Sequence, residues 1–585
     1  VDLPAFHPGN WYYRQYTESG LFDLEKPLKN YTEREYNLLL YGAYKRGDKR
    51  LNKRIEGIHN HFSRLLINRD HMSSSEVSKK RLEEMIQERE CPLCHGKRLN
   101  EHALSCKIKG YSIADLCDME FLKLRDILRE IKDARAATII ETLTASLTRM
   151  IDIGLPYLSM NRESSTLSGG EAQRLKLVRY MGSSLTGLTY IFDEPSTGMH
   201  PRDVYRMTNL LRKLRDRGNT VLVVEHDKDV ISIADEVIDV GPLAGRNGGQ
   251  IMFQGSYEQL LCSDTLTGNA MRERISIKQQ PRIPTEYLSI TDATLHNLKH
   301  VSVDIPLHIL TVVSGVAGSG KSSLIRDVFA KQYEERVVLV DQTPITATGR
   351  STPATFLDFS NDIRKLLASV HEIDAGMFSF NSKGACPHCH GKGIVVTELV
   401  FMDPVTTVCE LCEGKRYSEE ALSYEYRGHT IADIMELTVE DALEFFNEQP
   451  KIYRKLRTLH EVGLSYLSLG QPLSTLSGGE RQRIKLAKHL KNKGNIFILD
   501  EPTTGLHASD IKSIMKLLEG FVERGNTVII IEHNLDVMKQ ADYIIDIGPD
   551  GGTAGGEVVF TGTPKQMLEH ADTITARYLR KSCCE

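Results

Sequence analysis

The chain repeats itself. Thr166-Leu-Ser-Gly-Gly-Glu-Ala-Gln-Arg174 returns 309 residues later as Thr475-Leu-Ser-Gly-Gly-Glu-Arg-Gln-Arg483. Asp193-Glu194-Pro195 returns as Asp500-Glu501-Pro502, and Arg217-Gly-Asn-Thr-Val-Leu-Val-Val-Glu-His226 as Arg524-Gly-Asn-Thr-Val-Ile-Ile-Ile-Glu-His533, both after 307 residues. Cys91-x-x-Cys94-His-Gly-Lys-Arg98 returns as Cys409-x-x-Cys412-Glu-Gly-Lys-Arg416, after 318. Solenoid repeats have periods of roughly 20–50 residues, so four collinear matches at this spacing mean a duplicated domain. The copies are unequal: the second carries a glycine-rich loop and an extra cysteine pair, and the first 165 residues contain neither. The opening Val1 favours truncation of the first copy over decay. With 585 residues, 41% hydrophobic and 26% charged, the chain has the composition of a globular protein of roughly three to five domains. No run approaches the roughly 18 apolar residues of a membrane helix, and no secretory leader opens the chain, so a cytoplasmic protein is expected. A formal charge of −5 excludes a uniformly basic surface, leaving local patches as the means of contacting nucleic acid.

Gly315-Val-Ala-Gly318-Ser319-Gly320-Lys321-Ser322 fits GxxxxGK[ST], with an apolar run before it and Ser323-Leu-Ile after it. That is the strand–loop–helix setting in which bare backbone N–H groups cradle phosphates. Lys321 is expected to reach the β- and γ-phosphates of a nucleotide and Ser322 to ligate Mg²⁺. The competing reading is a chance glycine-rich turn. Tyr190-Ile-Phe-Asp193-Glu194 and Ile496-Phe-Ile-Leu-Asp500-Glu501 are apolar runs ending in paired acids, as strands buried on both faces of a parallel sheet would be. Asp193 and Asp500 can hold Mg²⁺, and Glu194 and Glu501 can polarise an attacking water. His226 and His533 close further apolar runs and can sense the γ-phosphate, against the alternative of a histidine bonded only to backbone. Ser168-Gly169-Gly170-Glu171 and Ser477-Gly478-Gly479-Glu480 read as capping boxes. Paired glycines weaken a helix by about 1 kcal/mol each, so bare backbone is needed there, as a phosphate would need it.

Cys386-x2-Cys389-x19-Cys409-x2-Cys412 has the two-knuckle spacing of a tetrahedral Zn²⁺ site, with glycines at 391 and 414 for the turns. Four free core cysteines are the alternative. Cys91 and Cys94 are half of such a site, completed by an upstream pair or by Cys106, His95 or His71. Cys117, Cys262, Cys583 and Cys584 carry no motif.

With its signature-like LSGGE blocks, the chain resembles the ATP-binding-cassette superfamily. The glutamate at the fifth signature position, the CxxC modules and the duplicated EPSTG and EPTTG blocks narrow the match to the UvrA family, the damage-recognition ATPases of bacterial nucleotide excision repair. Val340-Asp-Gln-Thr-Pro-Ile345, Arg350-Ser-Thr-Pro-Ala-Thr355, Phe378-Ser-Phe-Asn381 and Asp546-Ile-Gly-Pro549 carry the same resemblance. It implies an α/β fold of tandem P-loop ATPase domains with helical signature subdomains and zinc modules. The implied organisation is a signature and zinc region with insertion-domain remnants at 1–165, an ATPase remainder at 166–275, and a linker at 276–285. A second ATPase core follows at 286–345, its signature and zinc region at 346–474, and its remainder at 475–585. Gln342 becomes the glutamine joining the Mg²⁺ site to the helical subdomain. In cassette ATPases two cassettes pair head to tail. Gly315, Gly318, Ser319, Gly320, Lys321, Ser322, Ser323, Gln342, Asp500, Glu501 and His533 should therefore face Ser168, Gly169 and Gly170. Asp193, Glu194 and His226 should face Ser477, Gly478 and Gly479 in a site lacking its phosphate loop, so this chain should hold at most one complete ATP site.

The function implied is ATP-hydrolysing recognition of damaged duplex DNA and loading of a UvrB-type repair helicase, by a homodimer without a membrane and without nuclease activity of its own. Lys45-Arg-Gly-Asp-Lys-Arg-Leu-Asn-Lys-Arg54, with six basic residues, is a candidate phosphate contact or a solvated loop. Trp11 is a candidate stacking residue or a core residue. A UvrA-like paralogue acting in resistance to DNA-binding drugs is the alternative, favoured by the short segment from Lys321 to Gln342. A ribosome- or transporter-associated cassette pair is weaker, since transporters lack the zinc modules.

Overall fold

The computed structural model describes residues 11–19, 21–23, 25–42, 57–62, 89–167, 169–181, 185–242, 245, 248–341, 350–399, 402–490 and 494–584. The basic segment 45–54, Gln342, Ser168, His71 and the Trp11 side chain lie outside the described residues. Two compact units form, Val1–His102 and Ala103–Glu585. In the first, helix Glu33–Tyr41 begins at a capping box in which Thr32 N–H donates to the Glu35 carboxylate at 2.7 Å. Lys26 donates to the same carboxylate at 2.8 Å and holds its pKa down to about 2.

The larger unit is built on a six-stranded sheet in the second half of the chain. Its order is Val337–Val340, Ile496–Asp500, Thr527–Ile531, Leu310–Ser314, Tyr543–Gly548, Glu557–Gly562. Neighbours are parallel except the last pair, which is antiparallel. The central strands Ile496–Asp500, Thr527–Ile531 and Leu310–Ser314 are almost wholly apolar because both faces are covered. One face carries helix Ser323–Phe329 and the antiparallel hairpin Tyr287–Ala293/Val301–Pro306, whose Ile290, Ile305, Ile325 and Phe329 bury Ile498, Ile529 and Ile545. On the other face, Phe497, Leu499, Val528 and Ile530 pack with Ile484, Leu518 and Phe521 of helices Gly478–His489 and Ala508–Glu523. Between Val340 and Ile496 the chain leaves the sheet to build the helical and cysteine-bearing module.

The first half repeats this plan incompletely, and here the expectation of two-sided burial fails. Strands Thr189–Asp193 and Thr220–Val224 pair in parallel, and Val237–Gly241 pairs antiparallel with Gln250–Gly255. Among the described residues these remain two separate ribbons. In the second half, strand Leu310–Ser314 bridges the corresponding strands. The inner face is buried by Tyr190 and Phe192, but Ile191 is 71% exposed where its counterpart Ile498 is 0% exposed. Likewise Val240 is 63% exposed and Ile547 is 1% exposed. The difference is cover: among the described residues no hairpin or phosphate-loop helix packs on this face. The segment 276–285 has neither helix nor strand, yet Lys278 and Arg282 pin it to the buried Asp542 at 2.8 and 3.0 Å. Among the described residues no helix is long and apolar enough to cross a membrane.

Equivalent isoleucines should therefore have unequal weight. Ile498→Ala should cost about 2–5 kcal/mol through lost burial and a cavity, and Ile191→Ala less than about 1 kcal/mol. Urea unfolding of the two variants checks this, and equal losses would contradict the assignment of cover.

Candidate functional site

The phosphate loop is shaped by the strand that feeds it. Leu310–Ser314 is buried throughout, and the chain turns out of it at Gly315, where φ is +137° and a Cβ would sit 2.0 Å from the Ile547 carbonyl oxygen. Only glycine fits there. Lys321 is buried, and its Nζ donates to the Gly315 and Val316 carbonyls at 2.9 Å each. Burial lowers its pKa to about 8, opposed by the carboxylates of Glu501 and Asp500. Asn297 Nδ2 ties the loop by donating to Gly318 O at 2.9 Å. Among the described residues the buried Ser319 Oγ has no hydrogen-bond partner.

Strand Ile496–Asp500 delivers its acids to the same end of the sheet. Arg326 Nη1 lies 3.4 Å from Asp500 Oδ2. Glu501 follows in left-handed backbone, φ +48°, and Glu194 does the same at +43°. Such strain at a non-glycine residue is held only where surrounding structure enforces it. Burial pushes the Glu501 pKa up to about 8, aided by the neighbouring Asp500 and Glu532 carboxylates; burial also raises Glu194. His533 is buried, its pKa driven well below the usual histidine value by desolvation, and among the described residues its Nδ1 has no hydrogen-bond partner. Unpartnered Ser319 Oγ and His533 Nδ1, with Lys321 and two carboxylates, suit a Mg²⁺-bound polyphosphate: the donors would face its oxygens and the acids its metal. Neighbouring Glu532 accepts the backbone N–H groups of Thr503 and Asn534 at 3.3 and 3.0 Å. Glu225 accepts those of Ser196 and Asp227 at 2.8 and 3.1 Å.

The two halves close on each other through these loops. A Cβ on Gly198 would meet Glu501 Oε2 at 2.7 Å, and one on Gly505 would meet Glu194 Oε1 at 3.0 Å. Each half thus lays bare backbone against the glutamate of the other. Tyr157 of the first half covers the second half's phosphate loop: a Cβ on Gly318 would lie 2.6 Å from its ring. The same tyrosine donates to Glu171 at 2.7 Å, and Tyr466 donates to Glu480 at 2.6 Å. Arg202 pairs with Asp550 at 3.0 Å across the same boundary. A cavity of about 810 Å³ is lined by Glu194, His226, Glu501 and His533.

Of the residues singled out in the sequence, Lys321, Asp500, Glu501 and His533 come together. Glu194 and His226 stand opposite, with His226 Nε2 3.9 Å from Glu194 Oε1. Gly170 and Gly479 lie against their own halves, at the carbonyls of Thr197 and Thr504, where a Cβ would approach to 2.9 and 3.0 Å. Ser477 forms its capping box with Glu480, its N–H donating at 2.7 Å. Sequence reasoning missed Tyr157 and Tyr466, and four further residues besides. Gln173 Nε2 donates to Asp193 O and Glu194 O at 2.8 and 3.0 Å, and Gln482 Nε2 donates to Asp500 O at 2.9 Å, tying each signature helix to its own acidic strand end. His200 lies edge-on to His533, ring centres 5.9 Å apart, and His507 lies edge-on to His226 at 6.3 Å. The signal was present, since these pairs recur at the same offsets of 309 and 307 residues.

The second-half cysteines form one buried group, with ligand atoms all within 4.8 Å of one another. Cys386 and Cys409 sulfurs are 3.9 Å apart, and those of Cys389 and Cys412 3.7 Å. Thiolates about 2.3 Å from a tetrahedral Zn²⁺ would lie about 3.8 Å apart, so the set fits zinc. Hairpin Ile394–Leu399/Met402–Val408 joins the knuckles, and Gly393 N–H donates to Cys389 Sγ at 3.2 Å, as to a thiolate. Cys91 and Cys94 open a turn with the same left-handed sequence, His95, Gly96 and Arg98, that Glu413, Gly414 and Arg416 adopt after Cys412. Cys91 is exposed, and among the described residues the four second-half cysteines are the one group of three or more possible metal ligands.

A parallel sheet with a phosphate loop, facing a second copy that closes on its glutamate, defines an ATP-binding-cassette architecture. Residues 298–504 match the family model described as ABC transporter. The chain is 43% identical to the UvrABC system protein A of Staphylococcus aureus (strain COL) over 614 aligned residues, covering 96% of this chain and 64% of that protein. Against the UvrABC system protein A of Aquifex aeolicus (strain VF5) it is 42% identical, with the same coverage of 96% and 64%. The crystal structure of UvrA2 from Deinococcus radiodurans superposes with a TM-score of 0.86 at 36% identity, over 99% of this chain and 79% of that one. The chain belongs to the UvrA family, and it spans 64% of the length of these curated relatives.

The cysteine geometry predicts that Cys409→Ser lowers bound zinc by about one equivalent per chain and lowers the melting temperature. Metal analysis of the purified full chain checks it, and equal zinc in variant and wild type would contradict it.

Proposed function

We propose that the chain hydrolyses ATP at a composite site between its halves and uses the cycle in recognising damaged duplex DNA, as its relatives in the UvrABC system suggest. The observation that carries this reading is the abutment of Gly198 on Glu501, which seats the first half over the second half's acids and phosphate loop. Lys321 and the loop amides would bind the β- and γ-phosphates, with Ser322 and Asp500 as ligands of Mg²⁺. That metal, when bound, neutralises charge developing on the transferred phosphoryl group. Glu501 would orient the attacking water, and His533, held neutral, would offer a ring nitrogen to the γ-phosphate. Tyr157 and the Gly198 loop exclude bulk water from the γ-phosphate side, which strengthens every polar contact inside. Glu194 and His226 belong to the second site, whose opposite wall would be Ser477, Gly478 and Gly479. Gln342 and Ser168 keep the roles that the family resemblance gives them.

In this reading the domain limits are those expected from the sequence, and the Cys386, Cys389, Cys409 and Cys412 module holds structural Zn²⁺. Cys91 and Cys94 supply half of a second metal site. The protein works in the cytoplasm as a homodimer, contacts DNA phosphates through Lys45 to Arg54, and loads a repair helicase. A second reading, a paralogue that works without that helicase, is favoured by the direct passage from the phosphate loop to the next strand. Helices Ser323–Phe329 and Ala330–Gln332 lead straight to Val337–Val340, with no inserted domain.

Steady-state ATP hydrolysis with duplex DNA carrying a bulky adduct tests the first reading. Ser168→Arg should cut hydrolysis about a hundredfold, whereas Ser477→Arg should leave it within about threefold of wild type. Binding of the same DNA should weaken steeply with salt. Greater damage from Ser477→Arg would contradict the cross-half assignment, and salt-independent binding would contradict the DNA contact.

A further inference from the structure

The histidines that cross between the halves are each anchored on their far side, and the anchor is built the same way twice. His200 is fully buried, and the backbone N–H of Arg202 donates to its Nδ1 at 3.2 Å. Nδ1 is therefore an acceptor, and Nε2 carries the proton of a neutral ring. Burial keeps the ring neutral by pushing its pKa down to about 3. Nε2 faces Thr575 Oγ1 at 3.5 Å, and Thr575 Oγ1 donates to Asp546 Oδ1 at 2.9 Å. In the mirror set, His507 Nε2 lies 3.2 Å from Thr267 Oγ1, which donates to Asp239 Oδ1 at 2.7 Å. A hydroxyl has one proton, so a threonine that donates to its aspartate can only accept from the imidazole. Both chains of hydrogen bonds thus run one way, from histidine N–H through threonine to aspartate. In each, aspartate and threonine come from one half and the histidine from the other. The anchored ring then packs edge-on against a strand-end histidine, His200 on His533 and His507 on His226.

We propose that Asp546–Thr575–His200 is a positioning relay that holds the first half's Glu194–His200 loop against His533, fixing the orientation of that histidine in the phosphate-loop site. Asp239–Thr267–His507 does the same for His226. Because Glu194 and His200 share one loop, a shift at either site is felt at the other. The relay rests on the ATPase reading above. The plain alternative is packing, with His200 serving only as the cap of helix Pro201–Asp216.

Thr575→Val keeps the volume and removes the hydroxyl, whereas Thr575→Ser keeps the hydroxyl. In the full chain, with zinc content and melting temperature checked for both, Thr575→Val should lower kcat for ATP about tenfold with KM within about twofold. Thr575→Ser should stay within about twofold of wild type in both constants. His200→Gln, which retains an N–H near the Nε2 position, should keep more activity than His200→Ala. The relay is overturned if Thr575→Val matches wild type, if Val and Ser variants fall alike, or if only KM changes. Failure of the underlying reading looks different: the wild-type chain itself would not hydrolyse ATP, or Glu501→Gln would hydrolyse as fast as wild type, and the relay would fall with it.

Discussion

The arrangement depends on two carboxylates held where they are costly to hold. Glu501 and Glu194 sit at strand ends in left-handed backbone, and burial pushes the pKa of each upward. A strained, half-desolvated glutamate persists only if its surroundings leave it no alternative. Besides the bonds of each glutamate's N–H to Ile531 O or Val224 O in its own half, the surroundings include the backbone of the other half, which approaches closely because residues 198 and 505 are glycines. Closure between the halves therefore completes the walls around both glutamates. Placing any side chain at Gly198 would press a methylene onto the Glu501 carboxylate and separate the halves.

The same dependence explains why the halves can differ so much in cover and still face each other symmetrically. The contacts of Gly198 on Glu501 and of Gly505 on Glu194 come from loops at the carboxyl ends of strands, where ligands of parallel sheets gather. The cover that the first half lacks among the described residues lies on a sheet face. Ile191 and Val240 are exposed there without disturbing the loop that carries Glu194, Gly198 and His200. Buried Arg174, bonded to Gly154 O at 3.3 Å and Asp203 at 3.4 Å, holds the first turn of helix Pro201–Asp216, into which that loop runs.

Much of this was legible in the sequence. The phosphate loop, the acidic strand ends and the four-cysteine module each announce themselves through residue types whose chemistry requires that spacing. The duplication identified the halves before any fold was known. Other features were legible only in part. The run Tyr190-Ile-Phe-Asp193 looks like a strand buried on both faces, because periodicity reports a residue's own preference and not whether a distant segment covers it. His200, His507, Gln173 and Gln482 repeat as faithfully as the glutamates do. A lone histidine or glutamine has many ordinary uses, however, and only the contact across the halves separates these from the rest. Tyr157 and Tyr466 were invisible for the same reason: their partners are Gly318 in the other half and glutamates 14 residues further along the chain.

The central claim is that one phosphate loop, closed by the opposite half, makes one nucleotide site in this chain. Equilibrium binding of Mg·ATP to Glu501→Gln, which should bind without turnover, measures it directly. The account predicts one nucleotide per 585-residue chain, lost on adding Lys321→Ala. Two nucleotides per chain, or one that survives Lys321→Ala, would contradict it.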